Sequence, residues 1–80
     1  MKLKYIRTRL GYVIFSGIIS HRDVARGLSE IESAGMCYID AKEGKEGKLQ
    51  VTCYGESVTL GLSSMGGDSE ILTRKLNEQY

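Results

Sequence analysis

The residues best suited to chemistry in this 80-residue chain are two cysteines, Cys37 and Cys53, and a single histidine, His21. A thiol beside an imidazole could act as a nucleophile, and two thiols could form a disulfide, a redox pair or part of a metal site. Zinc requires four ligands, and one histidine without a CxxC spacing does not supply them. We therefore predict no metal and no other cofactor.

A hairpin centred on Lys45 predicts that both cysteines point into the core. Side chains alternate between the two faces of a strand, so one register sorts the whole segment. When paired positions sum to 90, one face is entirely apolar and consists of Cys37, Ile39, Ala41, Leu49, Val51 and Cys53. Buried thiols behave as small hydrophobic groups. We expect the two cysteines to pack in the core and not to react.

Two further segments look like catalytic or phosphate-binding motifs, but each lacks a necessary part. The loop over residues 61–68 is rich in glycine and serine, yet it lacks the Lys-Ser/Thr ending of a P-loop, and Asp68 would repel phosphate. We expect Asp68 or Ser69 to cap a final helix there. The segment around Ser57 lacks the second glycine of a nucleophile elbow. The chain is therefore predicted not to be an enzyme.

Length and composition predict one small globular domain over residues 1–80. Hydrophobic residues make up 41% of the chain and charged residues 26%, which is ordinary for a soluble protein. A chain of this size buries a small core, so self-association is a plausible way to complete it. No stretch approaches the roughly 20 apolar residues of a membrane span. Two cysteines without an export signal indicate a cytoplasmic protein.

The hydrophobic periodicity predicts an α+β domain of order ββαβββα. The strands are expected at 3–8, 12–16, 36–42, 48–54 and 56–62. A first helix is expected over 21–33 with Ser20 as its N-cap, and a second from residue 68 to about 78. This order is typical of an antiparallel sheet of about five strands with two helices packed on one face.

The charges are distributed unevenly along the chain. Residues 1–27 carry six basic side chains and one acidic side chain, whereas residues 28–80 carry five basic and nine acidic ones. The resulting charges are +5 and −4. This asymmetry indicates an anionic partner for the first part, or contact with the acidic part of the same chain or of another copy.

These observations lead to a first hypothesis about function. The chain is predicted to be a non-enzymatic binding module, a homodimer or small oligomer, that binds a nucleotide-like anionic small molecule or an acidic protein surface. The charge would come from Arg7, Arg9, His21, Arg22 and Arg26. The contact area would come from Tyr12, Tyr38 and Tyr54, since tyrosines are common in interfaces.

Two alternatives remain open at this stage. Small size without catalytic residues is also typical of a protein–protein inhibitor or adaptor, such as those that phages and other mobile elements encode against a host system. The segment Gly11–Phe15 weakly resembles the aromatic strand of RNA-recognition domains, and tyrosines with a basic rim can hold single strands. The element order and the nearly neutral net charge of +1 disfavour nucleic acid.

Overall fold

The computed structural model describes residues 2–41, 44 and 47–79 of the chain. The main elements are strands β1 (Leu3–Thr8), β2 (Gly11–Ser16), β3 (Ile31–Ala41) and β4 (Leu49–Tyr54), two short strands β5 (Glu56–Ser57) and β6 (Leu62–Ser63), and helices α1 (His21–Ala25) and α2 (Asp68–Gln79). The four longer strands form an antiparallel sheet in the order β2-β1-β3-β4, and β5 and β6 form a second sheet. The predicted α+β class with an antiparallel sheet is confirmed.

The predicted register of the cysteine hairpin is also confirmed. All six pairs of β3 with β4 sum to 90, from Met36 opposite Tyr54 to Ala41 opposite Leu49. Lys42, at the predicted end of the first strand of this hairpin, and Glu43, Lys45 and Glu46 of the predicted loop lie outside the described residues. Cys37 and Cys53 face each other as free thiols. Cys37 is buried in the core with Val51, whereas Cys53 is partly buried and packs against that core. Burial raises the pKa of Cys53 to about 11 and also raises that of Cys37, which keeps both thiols protonated.

The first helix is much shorter than predicted. Ser20 is its N-cap, with its side-chain oxygen accepting a hydrogen bond from the backbone N–H of Arg22, but the helix ends at Ala25 instead of residue 33. Residues from Ile31 onward belong to β3, whose pairing with β1 outweighs the helical spacing of the apolar residues. Within β3, Gly35 packs so closely that a Cβ would come within 2.6 Å of the Tyr54 carbonyl oxygen.

The predicted fifth strand over residues 56–62 is wrong in detail. Its alternating apolar residues suggested a continuous strand, but the chain turns back between β5 and β6. Gly61 has a φ of +66° and donates a hydrogen bond to the Val58 carbonyl, which closes this turn. The segment cannot extend the main sheet along β4 because α2 occupies that edge.

The two helices contact opposite faces of the sheet, not one face as predicted. On α2, Leu72 packs against Tyr5, Cys37 and Val51. At the start of α1, the His21 ring meets the ring of Phe15 edge-on at 5.5 Å. Phe15 pairs with Lys4, so strand alternation places it on the face away from Tyr5. The single sequence did not show this because both faces of β1 and β2 are partly apolar.

Helix α2 closes the outer edge of β4 with a row of polar side chains. The Ser69 hydroxyl accepts from the N–H of Cys53 at 2.8 Å. The hydroxyl of Thr73 and the amide of Asn77 each bond both the N–H and the C=O of one strand residue, Val51 and Leu49 respectively. Four helical residues rise about 6.0 Å and two strand residues about 6.6 Å, so the two spacings nearly match. The edge is therefore not free to pair with another strand.

No helix in the described part of the chain is long and apolar enough to cross a membrane.

Replacing Thr73 by Val tests the closed edge. The change keeps the shape of the side chain but removes both hydrogen bonds to Val51. We expect the free energy of unfolding to fall by about 1–3 kcal/mol in urea denaturation, because a partly buried N–H loses its acceptor. Thr52→Val is the matched control. Thr52 lies in β4 next to Val51, with its side chain on the face of the sheet away from Leu72, and its substitution should change the free energy of unfolding by less than about 0.5 kcal/mol. Equal effects of the two substitutions would contradict the closed edge.

Candidate functional site

A buried carboxylate connects the start of α2 to three strands of the sheet. Asp68 is fully buried. Its Oδ2 atom accepts hydrogen bonds from the Tyr5 hydroxyl at 2.5 Å, the Ser33 hydroxyl at 2.8 Å and the Met65 N–H at 3.0 Å. Its Oδ1 atom accepts from the Tyr12 hydroxyl at 2.8 Å and the Arg7 guanidinium at 3.2 Å. Donors from β1, β2, β3 and the loop before α2 therefore converge on one side chain.

The hydrogen bonds keep Asp68 ionised despite its burial. Burial acts to raise its pKa, but hydrogen bonds from Tyr5, the Met65 N–H, Ser33 and Tyr12 outweigh that effect, and the pKa lies below its ordinary value. Burial and the neighbouring carboxylate raise the pKa of the Tyr5 and Tyr12 hydroxyls. Neutral hydroxyl donors around a carboxylate without solvent contact suit a structural centre, not a nucleophilic one.

The predicted cationic site is largely engaged within the chain. Arg7 binds Asp68 and Glu32 and lies over the Tyr12 ring at 5.7 Å. Arg9 pairs with Glu30 at 3.3 Å at the exposed end of the sheet. Thus two of the predicted cations bind acidic residues from the other part of the chain, as the alternative interpretation of the charge asymmetry required.

The remaining predicted residues lie at separate places. His21 is buried, with Nε2 at 2.8 Å from the Gly35 carbonyl oxygen. Arg22 and Arg26 are exposed at α1. Tyr38 and Tyr54 form an exposed aromatic pair, with ring centroids 5.9 Å apart, on the face opposite Tyr12. The structure therefore brings Arg7 and Tyr12 together and Tyr38 and Tyr54 together, but it does not assemble the eight residues into one surface. Their binding of a ligand stays a prediction.

Two grooves of the described part of the chain do not assemble the predicted site either. One, about 780 Å³, lies between α2 and β4 and is lined by side chains of both charges, including Lys48, Glu70, Arg74 and Glu78. A smaller one, about 500 Å³, contains Tyr38 and Tyr54 with Lys2 and Asp40. Within residues 2–41, 44 and 47–79, no cluster of His, Cys, Asp and Glu could hold a metal ion.

The feature that sequence reasoning missed is the outer side of β2. The Gly17 N–H donates to the Lys2 carbonyl, and hydrogen-bonded pairs recur at every second residue of an antiparallel ladder. Lys4, Ile6 and Thr8 therefore exchange hydrogen bonds with Phe15, Val13 and Gly11. The backbone groups of Tyr12, Ile14 and Ser16 consequently point away from β1, and of these the Ser16 carbonyl accepts a hydrogen bond from the Ile19 N–H at 3.1 Å.

Nothing in the described part of the chain pairs with these outward groups of Tyr12 and Ile14. Strand β2 ends the sheet, whereas the opposite end is closed by α2. The strand contains no charged residue and no proline. It is flanked by Leu10 and Ile18, whose side chains are 92% and 93% exposed. We call Leu10, β2 and Ile18 together the open edge.

The open edge has the chemistry of a strand-pairing site. A row of free N–H and C=O groups can accept an added strand, and charges or prolines would block such pairing. The absence of both from Gly11–Ser16 was visible in the sequence, but only the strand order shows that this segment is the edge.

No family model, curated protein or solved structure matches the chain.

We call Asp68 and its five hydrogen-bond donors, Tyr5, Arg7, Tyr12, Ser33 and Met65, the carboxylate centre. Replacing Tyr12 by Phe tests whether this centre holds β2. The substitution removes one hydrogen bond to a buried anion, so we expect the free energy of unfolding at pH 7 to fall by about 1.5–3 kcal/mol. Tyr54→Phe is the matched control, because that ring lies on the exposed face, and it should have an effect below about 0.5 kcal/mol. Equal losses for the two variants at pH 7 would contradict the assignment.

The pH dependence of the free energy of unfolding of Tyr12→Phe and Tyr54→Phe gives a second test. The folded-state pKa of Asp68 is lowered, so its contribution is present above its unfolded pKa of about 3.9 and is lost as the pH falls through the folded-state value. Removing one hydrogen bond to the ionised form moves the folded-state pKa upward. The stability difference between wild type and Tyr12→Phe should therefore shrink in strong acid, while the effect of Tyr54→Phe stays flat.

Proposed function

We propose that this protein is a non-enzymatic protein–protein interaction module that binds its partner through the open edge. It keeps the protein–protein contact of the adaptor or inhibitor alternative of the sequence analysis and leaves the identity of the partner to experiment. The observation that carries it is the difference between the two ends of one sheet. The outer groups of β4 are bonded by three side chains of α2, whereas those of Tyr12 and Ile14 in β2 have no partner among the described residues.

Strand addition accounts for the composition of β2. A partner strand would bond the outward backbone groups of Tyr12 and Ile14, and those bonds would supply affinity. Its side chains would lie beside Val13 and Phe15 on one face and Ile14 on the other, which would supply specificity. Exposed Leu10 and Ile18 add apolar contact at both ends of the strand.

The carboxylate centre prepares this edge for binding. Tyr12 is held by Asp68, and the pairing of β2 with β1 continues over six residues. An edge that is already extended and held in place loses less conformational entropy on binding than a mobile segment. The buried centre would thus support the exposed binding surface without any catalytic group.

An anionic ligand remains the alternative from the sequence. It now depends mainly on Arg22 and Arg26, which are exposed and four residues apart. Native mass spectrometry of the purified protein separates the two hypotheses, since a bound small anion would favour this alternative. Its loss in an Arg22→Glu, Arg26→Glu double variant would identify the site.

Position-specific photo-crosslinking tests the proposed function. A benzophenone side chain at position 18 lies on the open edge, and one at position 74 lies on the exposed part of α2. In the cell that produces the protein, we expect protein adducts at position 18 to exceed those at position 74 at least fivefold. Val13→Lys should abolish the adducts because a charge then lies on the pairing strand.

The matched control is Thr52→Lys, which places the same charge on the same face of the other edge strand, β4. It should leave the adducts at position 18 unchanged. Circular dichroism must show that both variants are folded. Equal yields at positions 18 and 74, or adducts that survive Val13→Lys in the folded protein, would contradict the open edge as the binding surface.

A further inference from the structure

We infer that the partner at the open edge is a second copy of this chain, bound through twofold antiparallel pairing of β2 with β2. This inference rests on the proposed function and names its partner. The two sheets would join in the order β4-β3-β1-β2-β2-β1-β3-β4. Strand addition between identical edges is a closed, isologous contact, since each chain supplies the same surface.

The outward backbone groups restrict the register of this pairing. In an antiparallel pair, hydrogen-bonded residues face hydrogen-bonded residues, so the unpaired outward residues Tyr12 and Ile14 must meet outward residues of the other copy. Positions that sum to 28 satisfy this rule. Tyr12 would meet Ser16, whose N–H is available and whose carbonyl would accept a second hydrogen bond beside that from Ile19. Ile14 then faces Ile14 of the second copy at the twofold axis, and Val13 faces Phe15 on the side where α1 lies.

The same register covers the most exposed apolar side chains of the open edge. Leu10 and Ile18 are both more than 90% exposed and lie just beyond the two ends of β2. Their positions also sum to 28. Leu10 lies in the turn before β2 and Ile18 in the turn after it. The pairing therefore brings Leu10 of each copy to the end of the paired strands where Ile18 of the other copy lies, which lowers the exposure of four large apolar side chains in one dimer.

The dimer would also leave no strand-pairing edge free in the main sheet. Each outer strand would be β4, whose outward groups are bonded by Ser69, Thr73 and Asn77 of α2. Assembly would therefore stop at two copies and would not continue into a fibre. Strand β2 carries no charge, so two identical edges meet without repulsion.

Analytical ultracentrifugation of purified protein over a wide concentration range tests the dimer. We expect a reversible monomer–dimer equilibrium without larger species. Val13→Lys should raise the dissociation constant at least tenfold, whereas Thr52→Lys should change it less than twofold. If Val13→Lys does not fold, Ile18→Lys serves instead, because that side chain is almost wholly exposed in the single chain. A wild-type monomer at all concentrations, or a folded Val13→Lys dimer, would overturn the inference.

Cysteine cross-linking tests the register. A short bismaleimide should link two copies of a Leu10→Cys, Ile18→Cys double variant. Each single variant should give little product, because identical positions lie eight residues apart along the pair, about 26 Å. The wild-type control should be unreactive because its thiols are buried or partly buried. Efficient linking of either single variant would overturn the register.

The outcomes also separate this inference from the proposed function. Adducts at position 18 with a different protein, from a chain that stays monomeric in the centrifuge, would retain the interaction module and overturn the homodimer. The absence of position-specific adducts together with a wild-type monomer would overturn both.

Discussion

The burial of one ionised carboxylate organises this small protein. An isolated carboxylate inside a protein costs several kcal/mol, and only a dense set of donors can offset that cost. Asp68 receives hydrogen bonds from Tyr5, Ser33, Tyr12, Arg7 and the backbone of Met65. Those groups come from three neighbouring strands and one loop. Satisfying them requires the first turn of α2 to lie over the sheet at one place.

The position of that first turn determines how α2 lies along the sheet. From Asp68 the helix runs beside β4, where Ser69, Thr73 and Asn77 meet alternate residues of the strand. One helix therefore supplies the buried anion, part of the core through Leu72, and the closure of one edge. The other edge receives no such cover among the described residues, and its apolar strand is the surface on which the proposed interaction depends.

Local patterns in the sequence predicted part of this arrangement. The alternation of apolar and polar residues on both sides of Lys45 was enough to predict all six β3–β4 residue pairs. Ser20 was enough to predict where α1 begins. The helix over 21–33 failed because its last residues pair with β1, which depends on contacts distant in the sequence. The predicted cationic residues are not gathered on one surface for the same reason. Arg7 finds its carboxylate 61 positions away, and no spacing in a single sequence reveals that.

The central claim is that one edge of the sheet is closed within the chain and the other by a second chain. Amide hydrogen exchange, followed by NMR at low and high protein concentration, measures both edges in one experiment. The account predicts that the Val51 N–H is protected at both concentrations and the Ile14 N–H only at the high one. An Ile14 N–H that exchanges rapidly at both concentrations, or is protected at both in a monomeric chain, would contradict it.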